Sequence, residues 1–236
     1  MNPSMIDAIK SVLAFLAKLF ARQPADSVPV AVEAPPPQNQ KNNQAVRERD
    51  TTKPALTEQD FVDAAATLGC SVAVIKAVCQ VEAPKGGFLP SGEPTILFER
   101  HQFSKRTGRQ FDISHPRISS SKPGGYLGGQ AEHARLAEAA SLDRHAAMES
   151  ASWGKFQIMG FNYVAAGFTS LQSFVTAMYQ SEGRQLEAFV AFIQHEGMAV
   201  FLRDRRWADF ARRYNGVNFA INNYDTKLAA AYKALA

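Results

Sequence analysis

The chain has 236 residues, 46% of them hydrophobic and 20% charged, an ordinary globular composition with room for one sizeable domain and an appendage. Its formal charge of +4 is mildly basic. That falls well short of the Lys/Arg density of a dedicated nucleic-acid binder, so no nucleic-acid partner is expected, although it would help approach to polyanions such as cell-envelope polymers.

Residues 1–23 carry an amphipathic helical pattern. Ile6, Ile9, Val12, Leu13, Leu16, Leu19 and Phe20 fall on one half of a helical wheel, and Asp7, Lys10, Ser11, Lys18 and Arg22 on the other. Charge interrupts the stretch too often for a bilayer span, which needs about 20 mostly apolar residues. It lacks a basic n-region and so is no classical signal peptide. Three readings stay open: a helix on an anionic membrane surface, a helix docking on a partner, or an extra helix packed on the main domain. Residues 24–55 hold Pro24, Pro29, Pro35, Pro36 and Pro37 and then a Gln/Asn run with almost nothing to bury, the composition of a disordered linker.

Folded sequence begins near Leu56. Thr57 to Asp60 reads as a capping box with Asp at the third helical position, and the helix runs to Gly69. A second helix follows, from Val72 to Glu82. At about 100° per residue, Ile75, Val78, Cys79 and Glu82 share one face, so Glu82 sits where a core should be. Pro84 then makes Ala83 a poor helical residue, which places Glu82 in the last turn, at the negative end of the helix dipole. Burial and the dipole both favour a protonated carboxyl, the form a general acid needs. Cys70 and Cys79 lie nine residues apart. On one helix that is about 13 Å, too far for a disulfide, and both read as small core residues.

Residues 83–94 are rich in Gly and Pro and must be loop. Thr95 to His101 is a short apolar run entering Glu99-Arg100-His101, a strand or the start of a helix. Residues 104–129 contain SSSKPGGYLGG and read as a long surface loop of the kind that is often functional. Residues 130–148 make a helix, Glu149 to Phe161 is too rich in Ser and Gly for one, and helices follow over 169–181, 183–202, 204–214 and 224–235. The class is mainly α with a small β element near 95–99 or 152–158.

Four stretches, VEAPKGGF, ILFERHQF, SASWGKFQIMGFNY and FARRYNGVN, resemble in their order the N-acetylmuramidase domain of phage endolysins, a member of the lysozyme-like superfamily. The resemblance covers residues 56–236. It implies a two-lobed, lysozyme-like fold around a sugar cleft, in a peptidoglycan hydrolase that cleaves the β-1,4 bond between N-acetylmuramic acid and N-acetylglucosamine. It makes Glu82 the catalytic acid. Glu99 is read as the second carboxylate, since glycoside hydrolysis usually takes two, with Arg100 and His101 beside it favouring its ionised form; the other reading of Glu99 is a structural ion pair with one of them. Glu149 is a weaker candidate for that second role. His101, Ser152, Gly154, Gln157, Tyr163, Tyr214 and Asn215 would line the sugar site, Gly154 by close backbone approach and Tyr214 by ring stacking.

The five histidines show no metal spacing, so neither metal nor cofactor is expected. A Cys–His peptidase is disfavoured because both cysteines lie on apolar faces. The alternatives are a lytic transglycosylase using the same Glu82, and a sugar-binding or lysis-regulating module without catalysis. A monomer is expected. Family members often carry a folded peptidoglycan-binding domain at the N-terminus, where this chain has only helix and linker. Without a signal peptide the protein would wait in the host cytoplasm until released to the periplasm and cell wall.

Overall fold

A computed structural model of the chain describes residues 53–82, 86–216, 220 and 223–236, with Glu82 described in its backbone alone. The helix expected at 1–23 and nearly all of the linker expected at 24–55 lie outside the described residues. Within them the fold is mainly helical, with one small antiparallel sheet, as the sequence predicts.

Helix α1 spans Glu58–Leu68 and starts on the expected capping box. Asp60 N–H donates to the Thr57 hydroxyl at 3.3 Å, and Thr57 N–H donates back to Asp60 Oδ2 at 2.7 Å. Such caps are worth about 1 kcal/mol. Gly69 ends the helix in the left-handed region at φ 67°. Helix α2 spans Val72–Glu82, the bounds that the periodicity predicts, and Ile75, Val78 and Cys79 are buried. Strand β1 (Ile96–Phe98) runs straight into α3 (Arg100–Arg106), so both readings of that stretch are realised in turn.

The helix expected over 130–148 is two helices, α4 (Gln130–Leu142) and α5 (Arg144–Glu149). Asp143 breaks the run: its backbone is extended, and its carboxylate accepts from Ala146 N–H at 2.9 Å to cap α5. Asp gains more at a cap than in a helix interior. Strands β2 (Ala151–Trp153) and β3 (Ile158–Met159) form the hairpin that completes the sheet, in the order β1-β2-β3. A 3₁₀ turn at Gly160–Asn162 leads to α6 (Leu171–Met178) and α7 (Glu182–His195). The helix expected over 183–202 is also divided, at Gly197 (φ 68°), into α7 and α8 (Ala199–Arg203). Helices α9 (Trp207–Asn215) and α10 (Tyr224–Leu235) close the fold.

The elements pack as two groups. In the first, α10 lies along α2 and α9, and α1 packs on α2, α7 and α8. In the second, the sheet is covered by α4, and α5 packs on α3, α4 and α6. Contact between α6 and α7 joins the groups. Trp153, Phe98, Phe103, Phe174, Phe189, Phe192 and Phe210 are all fully buried. Each aromatic side chain removes 150–250 Å² from water, and together they fix how the two groups sit.

Candidate active site

Glu82 is the last residue of α2, and the turn before it carries the buried Val78 and Cys79. Its side chain, and Ala83 to Lys85 after it, lie outside the described residues. The chain returns at Gly86 and is at once fastened. Gly87 N–H donates to Glu182 Oε1 at 2.5 Å, and Thr95 N–H donates to Gly87 O at 2.9 Å. A Cβ on Gly87 would stand 2.0 Å from Gln185 Oε1, so any larger residue there would push the Gln185 side chain off Lys155 N–H.

The same two residues of α7 hold the β2–β3 hairpin. Lys155 N–H donates to Gln185 Oε1 at 2.6 Å, and Lys155 Nζ lies 3.3 Å from Glu182. Gly154, at φ 69°, packs on Gln185 so closely that a Cβ would come within 2.6 Å of Cδ. Glu182 and Gln185 thus tie the segment after Glu82 to the SWGKFQ stretch. Sequence reading missed both. The available signal was their position: Glu182, Gln185, Leu186, Phe189 and Ile193 form one helical stripe, all buried, with polar groups at two core places.

The hairpin explains the Ser-x-Gly-x-x-Gln spacing. Gln157 sits at φ 49°, and its amide N–H groups donate to Gly154 O at 2.8 Å and Thr95 O at 3.2 Å. Its Oε1 accepts from the Ser152 hydroxyl at 2.7 Å. Gly154 N–H donates to Thr95 O at 2.8 Å. Ser152, Gly154 and Gln157 are therefore brought beside the segment that follows Glu82, with the amide donors of Gln157 turned onto backbone. Tyr214 is buried, stacks on Phe210 at 5.5 Å, and donates its hydroxyl to Phe156 O at 3.0 Å. It braces the hairpin from α9. Asn215, its neighbour at the end of α9, is buried. Tyr163 is partly buried against the core at the end of the 3₁₀ turn.

Glu99 stands at the far end of β1 from Thr95, roughly 13 Å along the strand at about 3.3 Å per residue. It occupies the position before α3 without capping that helix, and its side chain is fully buried. Oε2 accepts from the Tyr126 hydroxyl at 2.7 Å. His101 Nδ1 lies 3.0 Å from the same oxygen, off the hydrogen-bond line, while Oε1 has no hydrogen-bond partner among the described residues. Arg100, the neighbour of Glu99 in sequence, turns to the carbonyls of Lys122 (3.0 Å) and Pro123 (3.2 Å).

His101 is oriented by a chain of polar contacts. Gln102 Oε1 accepts from Arg106 Nη1 at 2.8 Å, which aims the Gln102 NH₂ group at His101 Nε2, 3.1 Å away. That nitrogen must accept, which puts the ring proton on Nδ1, facing Glu99. Arg106 continues to Glu149 Oε2 at 3.0 Å and lies over the Phe161 ring. Glu149, the weaker candidate for the second carboxylate, is thus committed to Arg106.

Glu132 of α4 was also missed. It is fully buried and accepts four hydrogen bonds. Oε1 takes Leu127 N–H (2.6 Å) and Gly128 N–H (3.0 Å), and Oε2 takes Phe98 N–H (3.0 Å) and Arg135 Nη1 (2.7 Å). Arg135 further binds Phe98 O at 3.1 Å and Arg117 O at 3.0 Å. One buried ion pair therefore clamps the end of β1, just before Glu99, to the glycine loop that carries Tyr126.

Burial pushes the Cys79 thiol up to about 12 and the Cys70 thiol up to about 11, so neither supplies a thiolate near neutral pH. Among the described residues no three His, Cys, Asp or Glu side chains gather as a metal site would need.

Residues 71–236 match the Muramidase family, described as N-acetylmuramidase. No curated protein sequence matches the chain. The crystal structure of the Burkholderia AP3 phage endolysin is similar, with a TM-score of 0.74 and 42% sequence identity over 81% of this chain and 74% of that one. The chain belongs to the N-acetylmuramidase family, glycoside hydrolases of the bacterial peptidoglycan strand.

Proposed function

We propose that the protein is a phage endolysin in which Glu82 is the general acid and Glu99 the second carboxylate. The observation that carries the reading is the place of Glu82. It closes a helix whose preceding core positions, Ile75, Val78 and Cys79, are buried, and Gly87 beyond it is held by Glu182 of α7. Glu82 would protonate the glycosidic oxygen linking N-acetylmuramic acid to N-acetylglucosamine. Glu99, whose Oε1 has no hydrogen-bond partner among the described residues, would face the developing positive charge of the sugar or the attacking water. The backbone of the Gly154 turn and the Tyr163 face would hold sugar groups. His101, Ser152, Gln157, Tyr214 and Asn215 would shape that wall from behind.

Full burial of Glu99 favours a second reading, in which a single carboxylate, Glu82, does the chemistry and Glu99 only fastens the loop above it. The two readings separate on Glu99→Gln.

The protein would act as a monomer, and residues 1–23 would rest on anionic membrane while the enzyme reaches the wall after release from the host cytoplasm. The test of the main reading is Glu82→Gln. The variant should fold normally and lose at least about a hundredfold in reducing ends released from purified peptidoglycan. Turnover near that of the parent would overturn the assignment.

A further inference from the structure

The loop that carries Tyr126 is specified on both sides. Gly124 (φ 98°), Gly125 (φ 78°), Gly128 (φ 77°) and Gly129 (φ 54°) all lie in the left-handed region that favours glycine. Arg100 grips Lys122 O and Pro123 O on one side, and a Cβ on Gly125 would stand 3.0 Å from its Nη1. Glu132 grips Leu127 N–H and Gly128 N–H on the other. Between these anchors the one polar side chain presented inward is the Tyr126 phenol.

We infer that Tyr126 is a positioning residue for the reaction: its hydroxyl holds Oε2 of Glu99 and so leaves Oε1 as the oxygen offered to the substrate. The inference rests on the proposed role of Glu99 as second carboxylate. A carboxylate with one fixed donor has fewer orientations to lose on reaching the transition state, and small misplacements of a reacting group are costly in rate. Oε2 also has the ring edge of His101 beside it, held in place through Gln102 and Arg106. Both restraints act on the same oxygen, and the other is buried with no hydrogen-bond partner among the described residues. Burial, and the Glu99 charge beside it, push the Tyr126 phenol above its ordinary range, so it stays a donor at working pH.

The experiment compares the full chain with Tyr126→Phe, Glu99→Gln and the double variant on a soluble peptidoglycan glycan oligomer, with kcat and KM measured separately. Phe keeps the ring and removes the hydroxyl. Tyr126→Phe should lower kcat by about tenfold or more, the scale of a hydrogen bond to a charged group, and leave KM within about twofold. In the Glu99→Gln background the same change should cost nothing further, because there is no carboxylate left to position. A Tyr126→Phe enzyme with kcat within about threefold of the parent would overturn the inference, as would a loss carried wholly by KM or one that multiplies with Glu99→Gln. A Tyr126→Phe protein that fails to fold would mark the hydroxyl as structural and overturn it too. If Glu99→Gln is inactive while Tyr126→Phe is normal, the role of Glu99 stands and the positioning role alone falls. If Glu99→Gln keeps full kcat, the role of Glu99 falls first, and the positioning role with it.

Discussion

The two halves of the molecule are held by different forces. Around α2, α9 and α10 the buried side chains are almost all apolar: Ile75, Val78, Phe210 and Leu228 are fully enclosed. Around the sheet and the glycine loop, Glu99, Glu132, Arg135 and Gln102 are buried as deeply. Apolar burial is non-directional and tolerates small shifts. A buried carboxylate with four donors tolerates none, because each donor left unpaired costs about 1–3 kcal/mol. The half that carries Glu99 is thus the half built from directional bonds. The seam between the halves uses the same device, Glu182 and Gln185 on α7.

The comparison breaks most visibly if one clamp on each side is cut. Phe210, fully buried on α9 and stacked 5.5 Å from Tyr214, serves for the apolar half, and Phe210→Ala should cost about 3–5 kcal/mol in urea unfolding. Glu132→Ala should cost as much, about 3–5 kcal/mol, because it strands Arg135 as a buried charge without its partner. Equal losses from an aromatic core residue and from one carboxylate are what the contrast predicts. A Glu132→Ala protein destabilised by less than about 1 kcal/mol would show that water or rearrangement replaces the clamp.

Much of the apolar half was legible in the sequence. Period-3.6 stripes gave α2 its observed bounds, and Thr57 and Asp60 marked the start of α1 by their chemistry. The polar half was not, because pattern reading assigns charged residues to solvent. Glu132, Arg135, Leu136 and Ala139 form a buried stripe whose first two members are charged. Read only for its long apolar residues, that stripe looks like half a helix face. The breaks at Asp143 and Gly197 were missed for a related reason: helical propensity on both sides hid one capping side chain and one left-handed glycine. Tyr126 was visible only as an aromatic inside a glycine-rich loop, and its partner lies 27 residues away. Spacing carries no signal for that. Glu82 and Glu99 were singled out, but the contacts that hold Glu99 were not.

A smaller effect sharpens the picture of the apolar half. Cys79 is raised from 9.0 to about 12 by burial, so the folded protein keeps the thiol while the unfolded chain ionises it. Stability from this group is therefore fully present below pH 9 and is lost as pH rises from about 9 towards 12. Urea midpoints measured across that window should fall more steeply for the parent than for Cys79→Ala. Parallel slopes would place the thiol in contact with water.

The smallest change lies at the edge of the first helix group. Thr57→Ala removes one arm of the capping box and should cost about 1 kcal/mol, with turnover on glycan unchanged because the cap touches neither the hairpin nor the loop. A drop in kcat larger than about twofold would mean that α1 transmits strain to the site through α7.

As general acid, Glu82 would supply a proton to the leaving sugar oxygen. A substrate whose leaving group needs no proton isolates that role. Glu82→Gln should be compared with the parent on a glycan oligomer and on an aryl glycoside of the same sugar with an acidic phenol. A general acid matters where the departing oxygen is basic and hardly matters where it is not. Glu82→Gln should lose at least about a hundredfold on the oligomer and less than about tenfold on the aryl glycoside. Equal losses on the two substrates would contradict that role.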